Sequence, residues 1–221
     1  MLLNKKALII VGGWEGHTPK ESAELFAAYL GDSGFDVEIS HTLDSCLDRE
    51  KMNSLSLVVP VWTCGQIARE QEQGLLAAVR GGVGIGGWHG CLCDAFRNNT
   101  DYQFMTGGQW VAHPGGCIPS YKVHIAKPED PIMRGLYDFM MKDTEQYYMH
   151  VDPTNEVLAT TTFSGEYEGV DWIKGAVMPV VWKRMYGKGR VFYTSLGHTA
   201  KDFDVAEALE IVKRGLVWAS R

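Results

Sequence analysis

The chain has 221 residues, 45% of them hydrophobic and 22% charged, enough apolar content to bury a sizeable globular core. A net charge of −6 argues against a nucleic-acid backbone or an anionic membrane as partner, and no run approaches the roughly 20 apolar residues of a membrane helix. Five unevenly spaced cysteines make no disulfide framework, and the opening MLLNKKALIIVG, charged early and without a small-residue cleavage site, reads as a strand, so a cytoplasmic location is expected.

Ala7 to Val11 is a continuous apolar run closed by Gly12-Gly13, the pattern of a strand buried on both faces. Thr18 reads as the N-cap of a helix with Pro19 at its first position and Glu21 completing a capping box; Ala23, Phe26, Ala27 and Leu30 repeat at helical spacing, and Gly34 stops the helix. Phe35 to Ser40 alternates as a second strand, and Leu55 to Val61 is a third. Residues 66–80 read as a helix with Ile67, Leu75, Leu76 and Val79 inward. Val83 to Gly87 is a fourth strand that turns through Trp88-His89-Gly90 into a helix beginning near Cys91. The stretch 98–120, with Gly107-Gly108 and Gly115-Gly116, reads as a long loop, which in a compact domain points to function. Further strands fall at 121–126, 157–162, 176–182 and 190–194, the last two joined through Gly187-Lys188-Gly189, and an amphipathic helix closes the chain over 202–219. Alternation of strand and helix at this period predicts an α/β fold with a doubly wound, mostly parallel sheet. With no repeat or linker, residues 1–221 read as one domain. The Gly12-Gly13 pair after the first strand does not continue into G-x-G-x-x-G, so no nucleotide cofactor is expected.

The chemistry gathers at strand ends. His17 follows the first strand, His89 the fourth and His198 the last, and loops after parallel strands open on one edge of the sheet. His113 sits in the Gly-rich stretch, and Glu145 and His150 lie near the end of a strand. Imidazoles with a carboxylate can hold a zinc- or manganese-like divalent ion, so His17, His89, His113, His150 and His198 are metal candidates of which a subset is expected to bind. Glu145, His89 and His198 are the candidate catalytic groups, whether beside a metal or as a metal-free acid–base set. Trp14, Trp62, Trp88 and Trp110, with Tyr147, lie after apolar runs or in glycine-rich stretches, where flat rings could bind a sugar. Each of these side chains could equally be a satisfied core or surface group, since neither H-E-x-x-H nor C-x-x-C is present. Cys91 and Cys93 could be low-pKa thiolates at a helix start or small core residues. Glu15 and Asp94 could support the histidines from a second layer or simply be solvated.

GGWEGHTP at 12–19, GIGGWHG at 84–90, TGGQWVAHPGG at 106–116, TEQYYMHVDP at 144–153 and PVVWKRMYGKGRVFYTSLGH at 179–198 together resemble the ThuA-like, trehalose utilisation family from end to end. That resemblance implies the flavodoxin-like sheet of class I glutamine amidotransferases, with His198 at the triad histidine and His89 just after the nucleophile position. Trp88 stands at that position, which excludes glutaminase chemistry. The resemblance further implies a sugar substrate, trehalose or a related disaccharide, handled through keto-sugars made by a partner oxidoreductase. An enzyme of metal-assisted hydrolysis, elimination, hydration or isomerisation is the first expectation; a non-catalytic sugar-binding or regulatory protein is the alternative. Exposed aromatic loops also suit a homo-oligomer.

Overall fold

A computed structural model describes residues 5–221; residues 1–4, the start of the segment read as a first strand, lie outside the described residues. In chain order the elements are β1 (Lys5–Gly13), α1 (Pro19–Asp32), β2 (Phe35–Ser40), α2 (Arg49–Ser54), β3 (Leu57–Thr63), α3 (Arg69–Gly81), β4 (Gly84–Trp88), α4 (His89–Cys93), α5 (Thr100–Thr106), β5 (Gly108–Ala112), β6 (Cys117–Ile125), β7 (Phe139–Glu145), β8 (Tyr148–Val151), β9 (Glu156–Thr162), β10 (Val177–Tyr186), β11 (Gly189–Thr194) and α6 (Ala206–Ala219).

Nine strands form one sheet in the order β2-β1-β3-β4-β11-β10-β9-β6-β7. The run from β2 to β11 is parallel and is the doubly wound α/β core that the sequence pattern predicts; from β11 onward each pairing is antiparallel. The period of two along β1 explains its continuous apolar run. Ile9 and Val11 face a core shared with Phe26 and Leu30 of α1 and with Ile211 and Leu216 of α6. Leu8 and Ile10 face the opposite core, built with Met52 of α2, Leu75 and Val79 of α3 and Met105 of α5. Each such side chain contributes roughly 1.5–3 kcal/mol by leaving water. Helix α6 packs directly on β4, where a Cβ on Gly84 would lie 2.0 Å from the Ala219 carbonyl oxygen.

Three local expectations are corrected. Thr18 makes no capping hydrogen bond to α1; it sits at φ 44°, and its hydroxyl accepts the Ala200 N–H at 2.8 Å, joining the loop after β1 to the loop after β11. Residues 98–120 are not one loop. Asn99 caps α5 through Tyr102, and β5 pairs with β8 some forty residues downstream in a separate two-stranded sheet, a partnership no local pattern reveals. Helix α3 begins at Arg69, so Ile67 precedes it and Leu76 is half-buried on its flank. Among the described residues no helix is long and apolar enough to cross a membrane.

Candidate functional site

Parallel pairing sets the loops after β1, β3, β4 and β11 side by side. The register Gly13↔Thr63 places the turn carrying His17 against the end of β3, where Trp14 N–H donates to the Thr63 carbonyl at 3.0 Å. The register Thr194↔Trp88 places Ser195 against the β4–α4 turn. At that turn His89 adopts φ 47°, a left-handed backbone costly for a non-glycine residue. The strained tip therefore falls on His89. Trp88, one residue earlier and still in β4, is fully buried, with its ring centroid 4.5 Å from that of Phe26. Strand alternation turns its indole into the core, so it forms no part of a binding surface, and of the Trp88-His89 pair that the sequence puts at the turn only His89 stands at the strained position.

Four side chains converge at this edge. The candidate ligand atoms of His17, His89, Glu145 and His198 all lie within 4.8 Å of one another, with three of the residues buried and His198 half-buried. His89 Nδ1–H donates to the Ser195 carbonyl at 2.8 Å, which turns Nε2 toward Glu145 Oε2 at 3.1 Å. His198 Nδ1 lies 3.4 Å from the same oxygen but makes no hydrogen bond, leaving a buried polar atom without a partner. His17 Nδ1 is 2.9 Å from the Thr63 hydroxyl. Tyr147 stacks on the His89 ring at 3.9 Å.

Glu145 arrives from the far edge of the sheet. It ends β7, and its carbonyl accepts the Tyr121 hydroxyl at 3.1 Å. Its neighbour Thr144 donates to Asp202, in the short helical turn 200–204 after β11. The antiparallel half of the sheet thus delivers a carboxylate to histidines carried by the parallel half.

Burial and the neighbouring His89 and His198 drive His17 down to about 3, so its ring is neutral in ordinary buffers. Burial pushes the Glu145 carboxyl upward, but the imidazoles of His198 and His89 outweigh it and hold the group well below the usual carboxylate range. Burial lowers His198, yet the Glu145 carboxylate beside it leaves a net upward shift.

A cleft of about 290 Å³ opens onto this cluster, lined by the rings of Trp14, Trp110 and Tyr147 and by the polar groups of His17, Asp94, Arg97, His113 and Glu145. A larger hollow of about 710 Å³ lies between α3 and the β10–β11 turn, lined by Arg49, Arg80 and Tyr186 and lacking any histidine, so size alone does not locate the chemistry. His113 stands at the margin, half-exposed, with Nε2 3.7 Å from Glu145 Oε1.

Other sequence candidates lie elsewhere. His150 is exposed on β8 and lines a separate hollow with Gln109, because the chain leaves the main sheet after Glu145 and five residues of separation carry it into the second one. Trp62 does not line the cleft; its indole fills the space above Gly12, where a Cβ would lie 2.3 Å from the ring. Glu15 is exposed. Cys91 and Cys93 are buried, and burial pushes both thiols up, Cys91 to about 12, the opposite of an activated thiolate. Asp94 is buried beside the cleft in a two-pronged ion pair with Arg97. Thr63, Arg97, Ser195 and Asp202 were not singled out in the sequence. Only Asp202, four residues beyond His198, carried a local hint.

The sequence matches the ThuA family, described as trehalose utilisation, over residues 6–219. No curated protein is a significant sequence match. A protein described as ThuA-like from Bacteroides uniformis shares the fold at a TM-score of 0.80 and 17% identity, with 98% of this chain and 91% of that one covered. A second, from Parabacteroides merdae, aligns at 0.77 and 19% over 98% and 90%. A beta-galactosidase from Bacillus circulans aligns at 0.62 and 13%, covering 98% of this chain but 30% of the larger enzyme. At these identities the likeness is one of fold.

Proposed function

Because the chain belongs to the ThuA, or trehalose utilisation, family, we propose that it acts on a keto-sugar or disaccharide derivative with the help of a divalent metal ion held by His17, His89, Glu145 and His198. The observation that carries this reading is the convergence of four ligand atoms within 4.8 Å, one of them the unpartnered, buried His198 Nδ1. The donor set of three imidazoles and one carboxylate suits zinc or a similar ion. The His89 Nδ1–H bond to a backbone carbonyl fixes the tautomer whose Nε2 lone pair faces the cluster. Such an ion, when bound, polarises a carbonyl or hydroxyl oxygen or lowers the pKa of water.

The chain's own groups supply the rest. Glu145 has two faces: Oε2 lies against His89 and His198, while Oε1 lies toward His113 and the cleft. A 3-keto group acidifies the neighbouring C–H, and Glu145 Oε1 with His113 is positioned to take that proton and return it in an elimination, hydration or isomerisation. Trp14 and Trp110 hold the ring and exclude water from it.

Elemental analysis of tag-free protein beside His89→Ala and Glu145→Gln tests the metal. Near-stoichiometric zinc or manganese in the parent and its loss in both variants support the reading. Metal-free, folded protein that gains no ion on incubation sinks it, and leaves sugar binding without catalysis as the reading in front.

A further inference from the structure

Arg97 is held in place more firmly than a rim arginine needs to be. Its Nε and Nη2 donate to the two oxygens of Asp94 at 2.5 and 2.9 Å, and its guanidinium lies over the Trp110 ring, 4.3 Å from the centroid. The segment behind it is pinned as well. Cys64 N–H donates to the Asp94 carbonyl at 2.9 Å, Phe96 N–H to the Cys64 carbonyl at 3.2 Å, and the Gln103 side chain to the Arg97 carbonyl at 2.8 Å. Both Asp94 and Arg97 line the cleft. Asp94 is buried, whereas the Arg97 side chain keeps 45% of its surface exposed. Nη1 makes no hydrogen bond among the described residues, and the side chain that carries it is exposed, so its donors are available to a ligand in the cleft.

We propose that Asp94 and Arg97 form the specificity-determining pair of this cleft, reading two adjacent hydroxyls of a neutral sugar ring. The inference rests on the sugar reading above and adds which part of the substrate is read, and by what. A guanidinium whose orientation is fixed in advance loses little entropy on binding, and with the Nε–Nη2 edge taken by Asp94 its Nη1–Nη2 edge is left to match two vicinal oxygens. Its charge is already balanced by Asp94, and Glu145 adds a second carboxylate to the same cleft, so an anionic substituent gains little there. Asp94 has lone pairs left to accept from the hydroxyls that Arg97 donates to. The ring face rests on the indoles, as an apolar sugar face requires.

The test is a titration of glucose, trehalose and glucuronate into the full chain, followed by tryptophan fluorescence, with metal content measured on the same samples. Arg97→Met removes the donors at similar volume; Arg97→Lys keeps the charge without the fork. Glucose or trehalose should saturate the parent, Arg97→Met should weaken that binding about ten-fold or more, Arg97→Lys nearly as much, and metal content should stay at the parent level. Binding by Arg97→Met within two-fold of the parent overturns the proposal. So does glucuronate bound ten-fold tighter than glucose, since the guanidinium would then read an anion. Metal-free protein that binds glucose and loses it in Arg97→Met upholds this pair while sinking the metal reading. Metal-loaded parent that saturates with none of the three sugars overturns both the sugar cleft and the pair.

Discussion

Asp202 Oδ2 accepts the backbone N–H of His198 at 3.0 Å and, with the same oxygen, the Thr144 hydroxyl at 2.6 Å. One buried carboxylate therefore ties the loop that carries His198 to the residue preceding Glu145, across strands that are four places apart in the sheet order. Asp202→Ala leaves a buried hydroxyl and an amide without their acceptor, at a cost of about 1–3 kcal/mol in stability. By loosening two of the proposed ligands at once it should also weaken metal binding by about 10–100-fold. Asp202→Asn keeps an acceptor oxygen and should recover most of both. Competition with a chelator measures the affinity, and parent-like binding in Asp202→Ala would sink the positioning role.

Gly90 makes room for the His17 ring, one of the proposed metal ligands. A Cβ there would lie 2.5 Å from His17 Cε1 and 3.0 Å from Thr63 Cγ2, while the backbone itself is one an alanine accepts. Gly90→Ala should push the His17 ring off the Thr63 hydroxyl, costing about 1–3 kcal/mol of overpacking. Metal content should fall further than the melting temperature does. A variant that binds metal as the parent does would show that His17 is not a ligand.

Burial pushes the Cys91 and Cys93 thiols up, Cys91 to about 12, so both are held as thiols near pH 8. Iodoacetamide applied to the native protein should modify the exposed Cys117 and the half-buried Cys64 and spare the C-x-C pair. Even those two should react slowly, because burial raises both. Peptide mapping after a timed exposure decides it. Early labelling of Cys91 with loss of sugar chemistry would instead point to a cysteine nucleophile.

The histidines make opposite contributions to acid stability in chelator-treated protein. His17 titrates at about 3 when folded and at 6.5 when unfolded, so as pH falls below 6.5 the unfolded chain takes the proton first and stability is lost. His198 is raised in the fold, so its contribution is present below 6.5 and is lost as pH rises through its folded value. His17→Asn should flatten the fall in melting temperature on the acid side, and His198→Asn the fall on the alkaline side. Identical slopes in variants and parent would contradict the assignment.

Much of this fold was legible in the sequence because its signals are local. The apolar run Ala7–Val11, the helical spacing of Phe26 and Leu30, and the glycines around Trp88 and His89 each report the surroundings of a few neighbours. The parallel α/β core follows from them, and with it the gathering of His17, His89 and His198 at one edge, since loops after parallel strands share that edge. What tertiary structure alone decided depends on partners far apart in the chain. β5 finds β8, β7 becomes the sheet edge that brings Glu145 to the histidines, and Asp202 ties the two halves together. Orientation was likewise out of reach of residue type: Trp88 and Trp62 turn into packing while Trp14 and Trp110 face the cleft, and His150 is carried away as His113 stays beside Glu145. Residue types and periods determine which elements form; which side chains meet is decided by the packing of elements that share no local sequence.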